Sequence, residues 1–181
     1  MLLPPFSLNA ARTLLRRFRR SRQASAAVEF AFIAPVFFAL LFALIETAMV
    51  FFAGQVLETA VQDTSRSFYT DTTISKSDYE TAMCNRIKVL MDCTKVRHDV
   101  QTYAAGTSIT IADPLKDGNF VDTFIWNPPA KGDTTSTVVA RSFYQWPLFV
   151  TQLGYNIANI GRSDVNNRKR LLAATAALRP Q

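Results

Sequence analysis

"FAFIAPVFFALLFALIETAMVFFA", residues 30–53, decides the fold of this chain. It holds 24 residues with one charge, Glu46, and as an α-helix it is about 36 Å long, enough to cross a bilayer. Fourteen of its residues are Leu, Ile, Val or Phe. At roughly 0.3 to 0.6 kcal/mol each they outweigh about 3 kcal/mol for one carboxylate near the helix centre, so insertion is favoured. The run is about twice as long as the apolar core of a secretory signal, and no small-x-small cleavage site comes directly after it, since Ala43, Ala48 and Ala53 lie five apart. A retained transmembrane helix over 30–53 is therefore expected.

Working outward, Arg12, Arg16, Arg17, Arg19, Arg20 and Arg22 precede the run with no acid among them, and "GQVLETAVQDTSRSF" after it mixes both signs. The positive-inside rule then puts the N-terminus in the cytoplasm and exports the chain beyond the helix, a single-pass arrangement. The formal charge of +6 belongs to this arm, because without the six arginines 14 basic residues face 14 acidic ones. With only Phe6 and Phe18 as aromatics in the arm, a nucleic-acid platform is not expected. The small-residue cluster "QASAA", 23–27, lies before the apolar run, the placement of a leader cut on the cytoplasmic side.

The stretch "RRSRQASAAVEFAFIAPVFFALLFALIETAMVFFAGQVLETAVQDTSR", 19–66, resembles the N-terminus of the TadE-like minor pilins, or pseudopilins, of tight-adherence (Tad/Flp) type IV pilus systems. In that family a basic leader ends in a small residue, usually Gly. A Glu and an aromatic come five positions later, and then an apolar helix with an early proline. Here these are Ala24, Ser25 as the new terminus, Glu29 with Phe30, and Pro35, and Ala24 is the departure from the pattern. Weaker likenesses are "VVARSFYQWPLF" and the tail "LLAATAALRP". The resemblance implies removal of residues 1–24 by a prepilin peptidase. It also implies a role in initiating or supporting pilus assembly and adherence beside other minor pilins, the assembly platform and the major pilin, in the bacterial inner membrane.

It further implies that the Glu29 carboxylate meets the Ser25 amine of a neighbouring subunit and sets axial register, since a carboxylate desolvated among helices needs a partner. On the residues alone, Glu29 at the headgroups, favoured near a helix N-terminus, is the competing reading. Glu46, about 25 Å further along the helix, is an intramembrane pairing candidate, with protonation or outward snorkelling as alternatives. Pro35 costs a helix hydrogen bond and suggests a kink, and recurrent Ala residues would permit close helix packing.

Beyond residue 53 helical spacing continues to about 68, and 69–181 is read as a periplasmic α+β domain with an antiparallel sheet. Tyr79, Met83, Ile87 and Leu90 recur at helical steps, so an amphipathic helix is expected over 77–92. Residues 108–112, 120–126 and 136–146 alternate in the manner of strands, with Val138, Ala140, Tyr144 and Trp146 on one face of the last. Residues 127–135 are rich in turn formers. Residues 168–179 are ambiguous: alanine favours a helix, the family tail a strand. Cys84 and Cys93 are expected to pair outside the cytoplasm, closing a short loop worth roughly 2 to 3 kcal/mol.

With His98, the two cysteines cannot furnish a four-ligand zinc site. Asp113, Asp117, Asn119 and Asp122 invite a calcium reading, but their spacing is not that of an EF-hand and turn chemistry explains the same residues. No catalytic motif surrounds the single histidine and no phosphate loop is present, so neither an enzyme nor a cofactor is expected. A membrane-anchored periplasmic binding domain that never enters a pilus is the alternative to a pilin; an anchor keeps its basic leader and a pilin loses it.

Overall fold

The computed structural model describes residues 22–70, 74–130, 133–150, 155–162, 164 and 167–179, and most of the basic leader lies outside these. The chain divides into two compact units, Met1–Ala43 and Leu44–Gln181. The helix α1, Arg22–Ser65, contributes to both and includes Pro35. In the first unit the described side chains, from Ala26 onward, are exposed or half-buried, and the apolar window carries no burial at all. It is one helix long and apolar enough to cross a membrane, compatible with a single-pass anchor.

In the second unit the same helix changes character. Glu46, Val50, Ala53, Leu57, Ala60, Val61, Thr64 and Ser65 are buried, a stripe at steps of three and four that marks one face of an amphipathic helix. The apolar residues of this stripe pack with Met83, Ile87, Tyr144, Leu172 and Ala174 in the largest core cluster. The last turns of the expected 30–53 span are thus shared with the folded domain.

Next come a one-turn helix α2, Ser67–Thr70, and then α3, Lys76–Ile87. Ser75 caps α3: its Oγ accepts from the Asp78 amide at 3.1 Å and donates to Asp78 Oδ2 at 2.6 Å, satisfying an orphan donor of the first turn. Tyr79, Met83 and Ile87 form the buried face. The helix stops five residues before the expected 92. Residues 88–91 tighten into turns, and Cys93 opens a 3-10 turn, Cys93–Lys95, whose start is capped by Asp92. The Cys84–Cys93 disulfide joins helix and turn.

The main sheet is antiparallel, in the order β1 (Arg97–Tyr103), β4 (Thr137–Pro147), β5 (Lys169–Leu178). Between β1 and β4 lies a small hairpin, β2 (Leu115–Lys116) with β3 (Asn119–Phe120). Its turn residues Asp117 and Gly118 both have positive φ, 53° and 74°, as a two-residue turn matched to strand twist requires. The architecture is α+β, a long N-terminal apolar helix leading into a small antiparallel sheet domain.

Central β4 is buried on both faces. Val138, Ala140 and Tyr144 face the helices, while Phe143 packs with Ile160, Leu171, Leu115, Phe120 and Phe124. Alanines of β5 stand opposite larger residues of β4, as in Phe143↔Ala173 and Val139↔Ala177. The alanine-rich tail is therefore a strand, helix propensity giving way to cross-strand packing. Two expected strands are corrected: 108–112 has no partner strand among the described residues and is irregular, and 120–126 is not a continuous strand, since Phe120 belongs to a two-residue strand and Trp126 to an isolated bridge with Val100. The strand β1 was not anticipated.

Candidate functional site

The candidate leader junction lies at the start of α1. Ala24 and Ser25 lie in the helix Arg22–Ser65, at the start of the described residues. Glu29 and Phe30 come next, on the exposed part of the helix. Helix geometry puts Glu29 about 6 Å along the axis from Ser25.

Glu46 is placed differently from its sequence reading, which looked to another helix, protonation or snorkelling. It is 7 % exposed, and its partners are backbone amides of its own chain. The Phe149 N–H donates to Oε1, and the Val150 N–H donates to Oε1 at 3.1 Å and Oε2 at 3.2 Å. One residue further along, Thr47 Oγ1 donates to the Tyr155 hydroxyl at 3.4 Å. The segment after β4 is thereby fastened to α1 at residues 46–47, a contact across more than 100 positions that no local pattern reveals.

A second polar constellation sits in the sheet. Asp99 and Arg141 are cross-strand partners and both are buried. Arg141 Nε donates to Asp99 Oδ2 at 2.9 Å with a second, shorter contact from Nη2, and Nη1 donates to the Ala112 carbonyl at 2.8 Å. Asp99 Oδ1 also accepts from the Ile125 amide at 3.1 Å and from Gln101 at 3.0 Å. The pair thus anchors both ends of the 112–125 segment that carries the β2–β3 hairpin, and the guanidinium lies 5.3 Å from the centre of the Phe143 ring. With its remaining valences satisfied, such a pair is retained; losing one partner strands a buried charge.

On the opposite face, His98 Nδ1 lies 2.8 Å from Ser142 Oγ and its ring meets Tyr79 edge-on. Burial, with repulsion from Lys76 and Arg97, pushes the imidazole down to about 4. Burial also raises the Tyr79 phenol, opposed by the nearby hydroxyls of Ser65 and Ser142. Ser142 is fully buried, so its hydroxyl is out of a substrate's reach and the cluster reads as core packing.

The calcium candidates are dispersed among other duties. Asp113 accepts from the Leu115 amide, Asp117 and Asn119 build the hairpin turn, and Asp122 pairs with Arg97 at 2.9 Å. Among the described residues no group of three or more His, Cys, Asp or Glu is placed to hold a metal. The expected disulfide, by contrast, is present.

Comparison with curated proteins and with solved structures gives no significant match. A protein-family model described as TadE-like protein does match, over residues 24–66. The matched stretch starts at Ala24, contains Glu29, Phe30 and Glu46, and ends just beyond α1. Over this helix the chain is similar to the TadE-like family.

Proposed function

We propose that this protein is a minor pilin or pseudopilin that helps to initiate or support assembly of a Tad/Flp pilus, and thereby adherence. The observation that carries the reading is the TadE-like match over residues 24–66, which coincides with a helix whose apolar first part is left unburied by the described residues. In this account the arginine-rich leader stays in the cytoplasm and the sheet domain is periplasmic. A prepilin peptidase cuts after Ala24, and the protein works as a structural component without cofactor or catalysis. Bare apolar helix is then the surface that lipid covers before assembly and neighbouring pilins cover afterwards. Partners would be other minor pilins, the assembly platform and the major pilin. Glu29 sets register by pairing with the Ser25 amine of a neighbour, where desolvation makes an unpaired carboxylate costly.

Deletion of the chain's coding sequence, with electron-microscopic counting of surface pili, tests the assembly role. Pili should be lost and return with the unsubstituted protein, while Glu29→Lys restores few. Normal piliation in the deletion strain would contradict the role and favour the anchored binding domain, a reading that Ala24 in place of the usual glycine keeps in contention.

A further inference from the structure

Large apolar side chains are exposed at the start of the second unit where a water-soluble surface would carry charge. Phe51 is 71 % exposed and Phe149 is 76 % exposed, with Phe52 and Tyr155 also open. Phe149 and Tyr155 are each anchored locally: Leu148 packs against the core, the amides of Phe149 and Val150 are bound by Glu46, and Tyr155 accepts a hydrogen bond from Thr47. Phe149 and Tyr155 are thus tied to neighbouring positions of α1, with Phe51 and Phe52 one to two turns further on. No charged residue occurs in the sequence between Arg141 and Arg162, and Glu46 is the sole charge between Glu29 and Glu58. That one carboxylate is buried and compensated by amides.

We propose that this aromatic face seats in the interfacial layer of the membrane, with Glu46 latching Phe149 into position. The inference rests on the single-pass reading of α1. The occupant is identified by continuity along the chain: from Phe30, where the apolar run opens, Glu46 lies about 24 Å and Phe51 about 31 Å along the helix, so this level meets the far boundary of a hydrocarbon core about 30 Å thick. Aromatic side chains are enriched at that depth because an apolar ring with a polar edge suits the headgroup boundary. Buried amides that satisfy Glu46 remove the charge penalty that would otherwise hold this level of the helix away from lipid. An exposed apolar patch of this kind marks an interaction surface, and here the bilayer already lies beside it along the chain.

The full chain carrying Phe149→Trp, placed in nanodiscs of phosphatidylethanolamine and phosphatidylglycerol, tests this. Emission added over that of the unsubstituted chain should be largely lost when the lipids carry bromine near the headgroup end of the acyl chain, and should resist acrylamide. Tyr155→Trp should behave alike, and Val89→Trp, on an exposed turn, should show the reverse. Strong acrylamide quenching at 149 and 155 without bromolipid quenching would overturn the proposal. Shielding from both quenchers would also overturn it, pointing to a second protein on the face. A chain that stays soluble without lipid or detergent would instead defeat the single-pass reading itself.

Discussion

At the residue scale, burial decides which side chains matter, and three of them give measurable expectations. Arg141→Leu leaves the Asp99 carboxylate uncompensated and frees the Ala112 carbonyl; removing one partner of a buried pair costs about 3 to 5 kcal/mol. The urea midpoint of the protein in detergent should fall accordingly, far more than for Arg86→Leu, whose exposed partner is Asp63.

His98 supplies a pH signature. Its folded value of about 4 lies below the ordinary 6.5, so the unfolded chain binds the proton more readily between these values. This contribution to stability is intact above about pH 6.5, declines as pH falls toward 4 and levels off below, by at most about 3 kcal/mol. His98→Asn should flatten the midpoint between pH 7 and 4.5. Asp92 and Asp133, both held down to about 2 by hydrogen bonds to neighbouring hydroxyls and amides, act in a separate window below the usual carboxylate range, losing their contribution as pH falls through about 2. Glu46→Ala leaves the Phe149 and Val150 amides without their acceptor, at about 1 to 3 kcal/mol. Glu46→Gln should cost less, because an amide oxygen still accepts.

At the element scale, legibility tracked the range of the forces. Helix α1 was legible because its apolar run needs no partner to be recognised, and α3 because its cap and its 79–83–87 face are local. The hairpin turn at Asp117 and Gly118 is also local chemistry, although the short strands around it were not anticipated. Strand β1, "RHDVQTY", was missed because three of its buried or half-buried positions are His98, Asp99 and Gln101, whose polar groups find partners such as Ser142, Arg141 and the Ile125 amide that no local pattern reveals. The converse holds for "SITIA": its alternation is strand-like, but no neighbouring edge receives it. Leu57→Ala, in the buried stripe of α1, should destabilise by about 2 to 5 kcal/mol through the cavity it leaves, read as a lower urea midpoint. Replacing Cys84 and Cys93 together by Ser should lower stability by about 2 to 3 kcal/mol in denaturant titrations under oxidising conditions, and reductant should then have no further effect.

At the scale of the whole molecule, one helix serves two environments. Its first part is bare and apolar, whereas the part from Glu46 onward supplies a core face to the sheet domain. The helix long and apolar enough to cross a membrane and the TadE-like signature were legible in the sequence because both reside in one contiguous segment. The docking of the Phe149–Val150 amides on Glu46 was not, because hydropathy registers a carboxylate as a cost and cannot register the distant amides that satisfy it. The proposed pilin function further requires that the chain lose its arginine arm, since six arginines preceding the apolar run would oppose its leaving a bilayer for a filament. The most direct test is mass spectrometry of the N-terminal peptide of the protein isolated from its native membrane. The account predicts a terminus at Ser25; an intact arginine arm would contradict it and leave an anchored domain, and a terminus beyond Ala53 would contradict the membrane anchor as well.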